Sequence, residues 1–101
     1  MRLSKDILEE IADAAKEFFP GGRVLLFGSR LDDARKGGDI DLLIESPLDP
    51  ADSVPARFRF LARLSRRIGE CAIDVVLPMG EDDNRPILVQ ARRTGVELCR
   101  T

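Results

Sequence analysis

Apolar residues near the start of the chain recur at helical spacing: Ile7, Leu8, Ile11, Ala14, Ala15 and Phe18. Ser4 precedes them as an N-cap, with Leu3 and Leu8 placed as a hydrophobic staple, and Pro20-Gly21-Gly22 ends the run. The rhythm then changes. Arg23 to Phe27 is a short continuous apolar run of the kind a buried strand needs, and Asp39 to Glu45 is a second. Between them, Arg30 to Lys36 reads as a short helix or turn closed by Gly37-Gly38. A loop follows, Ser53 stands as an N-cap, and Pro55 is tolerated in the first turn. The helix so begun runs from about Val54 to Ile68 and stops at Gly69. Ala72 to Leu77 is a third strand, halted by Pro78. After a polar loop, Asn84 caps a last helix reaching Thr94, Gly95 ends it, and Val96 to Cys99 forms a short edge strand. The order α-β-(α)-β-α-β-α-β predicts an α/β (α+β) fold. Its sheet is small and mixed, with about four strands, and its helices pack mainly on one face.

Three acids break this pattern. Asp39 and Asp41 stand at i and i+2 in an apolar strand, so they project to the same face, about 6.6 Å apart, while Ile40 and Leu42 turn to the core. Like charges this close raise one another's pKa unless a cation neutralises them, and either an arginine or a divalent metal would serve. Asp74 is a third acid inside an apolar run, Ala72 to Leu77. If its strand neighbours the second, a spacing of about 4.8 Å brings it beside the pair. Three carboxylates on adjacent strands are the open, oxygen-rich site that Mg²⁺ takes, with room for water and substrate phosphates. Two ions held that way clamp the attacking and leaving oxygens of a phosphoryl-type displacement. The competing reading of the acids is loop capping or surface ion pairing. Gly28 and Ser29 directly follow the first strand, where glycine lets backbone N–H groups approach an anion and the hydroxyl adds a donor.

Composition narrows the chemistry. A length of 101 residues implies one domain over 1–101 with one modest core. No apolar run is long enough to cross a bilayer, and charge interrupts Met1 to Phe18, so neither a membrane span nor a signal peptide is expected and a cytoplasmic protein is. A net charge of −2 disfavours nonspecific binding to nucleic acid. There is no histidine, which removes Ser-His catalysis and histidine metal sites. Cys71 and Cys99 lie far apart without a CxxC pair, which argues for free thiols and against zinc.

Phe27-Gly28-Ser29, then Asp39-Ile40-Asp41-Leu42, then Ile73-Asp74-Val75 together resemble the DNA polymerase beta-type nucleotidyltransferase superfamily, and within it the minimal nucleotidyltransferases. The resemblance covers nearly the whole chain in element order. It implies that Asp39 and Asp41 bind two magnesium ions (manganese being an alternative), and that Asp74 completes the site and assists the attacking hydroxyl. It further implies that Gly28 and Ser29 hold the triphosphate of ATP or another nucleoside triphosphate, with Arg30 touching phosphate. Where minimal members often carry a glycine midway through the loop and a serine before the first acid, this chain has Asp33 or a neighbour, and Gly38. Nine residues separate Ser29 from Asp39, at the short end of the family's range.

The resemblance implies transfer of a nucleoside monophosphate, AMP from ATP, onto an acceptor hydroxyl. Larger members append a domain that holds the acceptor; here a second chain must supply it. Minimal members commonly pair with a helical HEPN-type protein, and several act as antitoxins that add AMP to a toxin tyrosine. The alternative is a catalytically idle module that neutralises its partner by contact. A D-x-D glycosyltransferase would need a much longer fold. Self-association is left open. On the helix from about Val54, the residues Val54, Phe58, Leu61, Ser65 and Ile68 share one arc. Arg59, Arg63, Arg66 and Arg67 lie opposite with Phe60 beside them. That side is expected to be a solvated face or a docking surface for an acidic partner or RNA anchored by Phe60.

Overall fold

The computed structural model describes residues 4–28, 40–68, 73–80 and 82–101. Ser4 caps the first helix, α1 (Lys5–Phe18), its hydroxyl accepting from the Ile7 N–H at 3.2 Å. Gly21, in the left-handed region at φ 76°, turns the chain into β1 (Arg23–Phe27). Four of its five residues are buried, because both of its faces are covered. The next strand, β2 (Ile40–Glu45), lies antiparallel to β1. Then come α2 (Pro50–Ile68), β3 (Ile73–Val76), α3 (Pro86–Thr94) and β4 (Val96–Arg100). The sheet order is β3-β2-β1-β4. β4 is antiparallel to β1 and β3 is parallel to β2, so the sheet is mixed. α2 supplies the crossover that a parallel neighbour requires.

Strand alternation divides the core in two. Val24, Leu26, Ile40, Leu42, Ile44 and Val75 face α1 and α2. Leu25, Phe27 and Leu43 face the other way and are covered by Leu88 and Ala91 of α3. Two helices thus pack on one face and a short one on the other. The end of β4 is tied down by Thr101, whose hydroxyl accepts from the Gly22 N–H at 2.8 Å and donates to the Phe19 carbonyl at 2.5 Å.

Several expectations are corrected. α2 begins at Pro50, one turn before the expected start: the Asp49 carbonyl accepts from the N–H groups of Asp52 (2.9 Å) and Ser53 (2.7 Å). Ser53 is therefore buried inside the helix, and the N1 position suited to proline belongs to Pro50. α3 is preceded by Arg85 rather than Asn84, with no side-chain cap.

The buried stripe of α2 is Ser53, Ala56, Phe60 and Leu64. Small residues at 53 and 56 let this stripe approach closely, and Phe60 meets Phe19 edge to face at 5.8 Å. Phe60 is thus fully buried, and Phe58 is the exposed ring, at 62%. Arg63, expected on a docking face, turns to α1 instead. It pairs with Glu17 and donates to the Asp13 carbonyl at 3.3 Å. Leu3, the Arg30-to-Lys36 turn, Gly69 and Cys71 lie outside the described residues.

The outer edge of β3 is not left bare. Arg57 donates from Nε to the Val75 carbonyl at 2.9 Å, and Arg85 donates to the Leu77 carbonyl at 2.8 Å. Such arginine cover blocks edge-to-edge pairing with another chain.

Candidate active site

The site is built where β1 leaves the sheet and β2 and β3 enter it. Phe27, the last residue of β1, stands opposite Asp41 in the antiparallel register. Gly28 follows at φ 81°, a backbone conformation that side chains resist. A Cβ at Gly28 would overlap the Asp41 carboxylate. The glycine therefore does two things at once: it makes the turn and leaves the volume that the carboxylate fills.

Asp41 is in register with Asp74 across the parallel β2–β3 pair. Residues so aligned share a face, on strands about 4.8 Å apart. The neighbours confirm which face it is. Ile40, Leu42 and Val75 are buried toward α1 and α2, so both acids project to the side that α3 covers further along. Leu88 and Ala91 of α3 cluster with Leu25, Phe27 and Leu43, and neither Asp41 nor Asp74 belongs to that cluster. Asp41 is half-buried, and the Asp74 side chain is 69% exposed.

Two of the six residues singled out from the sequence are thus brought together, with Gly28 beside them. Ser29, Arg30 and Asp39 lie outside the described residues. Among the described residues there is no group of three metal-ligating side chains, since two of the three acids fall there. The donor set is nevertheless of one kind: carboxylates in register on adjacent strands, on one face of the sheet. It fits a hard divalent cation such as Mg²⁺.

Sequence reasoning missed Arg57. From α2 it reaches round the edge of β3, with one terminal nitrogen 3.7 Å from Asp74 Oδ1 while Nε holds the Val75 carbonyl. Its guanidinium carbon lies 5.8 Å from the centroid of the exposed Phe58 ring. No motif marks this residue; the signal, had it been sought, was an arginine facing the edge strand from the crossover helix that precedes it.

The far end of the same sheet face has a different character. Glu45, four residues along β2 from Asp41, accepts from Arg23 at 2.7 and 3.0 Å and from Arg92 at 3.3 Å. Arg23 also lies 3.7 Å from Glu97, which Arg100 holds at 3.0 Å. The Glu45 contact raises the Arg23 pKa above its ordinary value. An open cleft of about 550 Å³, lined by Glu45, Asp49, Ser53, Leu77 and Arg92, adjoins this network, and neither Asp41 nor Asp74 lines it. Cys99 is free and half-buried; burial, then Glu97, push its thiol pKa up, away from reactivity. No helix among the described residues is long and apolar enough to cross a membrane.

Comparison with known proteins agrees with this architecture. The nucleotidyltransferase domain family matches residues 8–93. No curated protein sequence matches. Among solved structures, a toxin–antitoxin with AMP-PNP superposes with a TM-score of 0.69 at 20% identity, covering 93% of this chain and 73% of that one. A tri-AMPylated Shewanella oneidensis HEPN toxin in complex with MNT antitoxin gives a TM-score of 0.62 at 21% identity, covering 94% and 71%. A further toxin–antitoxin, a mutant with two aspartates changed to glutamate, gives 0.67 at 20% identity, covering 93% and 73%. These structures share the fold: a four-strand mixed sheet with three helices among the described residues. With most of its length matched by the family, and the strand-borne acids set against a glycine turn, the chain belongs to the nucleotidyltransferase domain family.

Proposed function

We propose that this protein is a metal-dependent adenylyltransferase. It moves AMP from ATP onto a hydroxyl of a helical HEPN-type partner, as the antitoxin of a two-gene module. The observation that carries the reading is the register of Asp41 with Asp74 beside a glycine whose missing Cβ makes room for the Asp41 carboxylate. The solved AMP-PNP and AMPylated-toxin complexes of similar fold support it.

In this reading Asp41 and Asp74, with Asp39, hold Mg²⁺ by their oxygens. Bound there, the metal would neutralise phosphate charge and align in-line displacement. Gly28, Ser29 and Arg30 receive the triphosphate. The acceptor oxygen bonds to the α-phosphorus, the bond from that phosphorus to the bridging oxygen breaks, and pyrophosphate leaves. Asp74, whose side chain is 69% exposed, orients the acceptor hydroxyl, whose proton leaves through that carboxylate to solvent.

The test mixes the protein, Mg²⁺, ATP labelled at the α-phosphate and the HEPN-type protein. Label should pass to the partner, and Asp41→Asn should abolish the transfer. If instead the partner is neutralised equally well by Asp41→Asn and never labelled, the protein acts by contact alone.

A further inference from the structure

Asp74 already has a cation beside it. Its partner, Arg57, is held at two further points: Nε on the Val75 carbonyl at 2.9 Å, and the guanidinium over the Phe58 ring. This accounts for an otherwise unexplained feature, a phenylalanine 62% exposed on a helix that has a proper buried stripe elsewhere. The ring backs the guanidinium, and the edge carbonyl fixes its plane. One of the two terminal nitrogens then lies 3.7 Å from Asp74 Oδ1, which is longer than a hydrogen bond but close enough for charge to matter.

We propose that Arg57 is a resident counter-ion for the third acid, and that a divalent metal must compete with it for Asp74. The inference rests on the metal-site reading above and adds a regulator to it. Asp74 faces Asp41 across the strand pair, and without a cation these two carboxylates repel. Arg57 gives Asp74 a positive neighbour before metal arrives. The same positive charge weakens metal binding. Because the guanidinium is anchored to the edge and the ring, Asp74 is the mobile partner: it turns from Arg57 toward the ion. Arg57 is thus a positioning residue, acting on the substrate only through Asp74.

The experiment is a Mn²⁺ titration of the full chain, followed by electron paramagnetic resonance of the free ion, with Asp41→Asn to identify the site. Arg57→Gln should bind Mn²⁺ about threefold to tenfold more tightly than the parent, the scale expected when one charge is removed a few ångströms from a divalent ion near the surface. Arg57→Lys, which keeps the charge, should stay within about twofold of the parent. Unchanged or weaker binding in Arg57→Gln, or equal binding in the two variants, would reduce Arg57 to a sheet-edge clamp and overturn the proposal. Should Arg57→Gln fail to fold, Phe58→Ala frees the guanidinium while leaving the Val75 contact. It should tighten Mn²⁺ binding by about twofold, and no change there also overturns the idea. A parent that binds no Mn²⁺ at millimolar concentration fails differently: the metal site itself is then absent.

Discussion

Glu45 and Asp74 make an instructive pair, because both are acids on the α3 face of the sheet, at opposite ends. Glu45 is saturated: two arginines from different elements bond its two oxygens at 2.7 to 3.3 Å. Asp74 is 69% exposed, in register with a second acid, and its arginine stands 3.7 Å off. A saturated carboxylate contributes packing and a modest ionic stabilisation. A carboxylate beside another carboxylate has capacity left for a cation. The same residue class thus serves structure at one end and chemistry at the other, and what separates them is how many donors the neighbouring elements deliver.

The largest effect should come from the acid end. Asp41→Asn removes one charged oxygen donor, and label transfer from ATP should fall more than about 100-fold while the fold persists; circular dichroism and transfer assays check both halves. Next, Gly28→Val places a side chain in the left-handed region and in the volume of the Asp41 carboxylate. It should lower stability by about 1–2 kcal/mol, or very roughly 5–15 °C in Tm, and should weaken nucleotide binding further than that loss explains. Equal nucleotide affinity in this variant would separate the turn from the site.

The far end should answer in the opposite sense. Glu45→Gln breaks a half-exposed ion network, so it should cost about 1 kcal/mol or less of stability and leave transfer unchanged. Loss of transfer would erase the contrast between the two ends. The smallest effect concerns Asp83. Its hydrogen bond from Arg85, and then that from the Met79 N–H, lower its pKa from 3.8 to about 2. A lowered folded-state pKa contributes stability that is whole above the unfolded value and is lost as pH falls through the folded one. Asp83→Asn should therefore melt slightly below the parent at neutral pH, with the gap closing between pH 3.8 and about 2, so that the variant's decline in Tm is flatter there.

Much of the fold was legible because each strand is apolar enough to be buried and each helix keeps a period. The span of β1 read as Arg23 to Phe27 coincides with the one observed, and Gly95 does follow the last helix. Where two periods competed, the sequence was ambiguous. α2 carries one stripe through Val54 and Phe58 and another through Ala56, Phe60 and Leu64, and only tertiary packing against Phe19 selects the second. The start of α2 was misread because Ser53 is a good cap by composition, whereas the backbone carbonyl of Asp49 receives the first helical bonds. At the site, alternation set Asp41 and Asp74 each opposite the core-facing residues of its own strand, and their meeting was conditional on the third strand neighbouring the second. Register between strands 33 positions apart in sequence depends on the whole sheet, as does the reach of Arg57 to Asp74.

The most direct measurement is calorimetric titration of Mg²⁺ with AMP-PNP into the parent, Asp41→Asn, Asp74→Asn and Glu45→Gln proteins. The account predicts Mg²⁺-dependent binding to the parent and to Glu45→Gln, with binding lost or severely weakened in both aspartate variants. Binding of equal strength to all four proteins would contradict it.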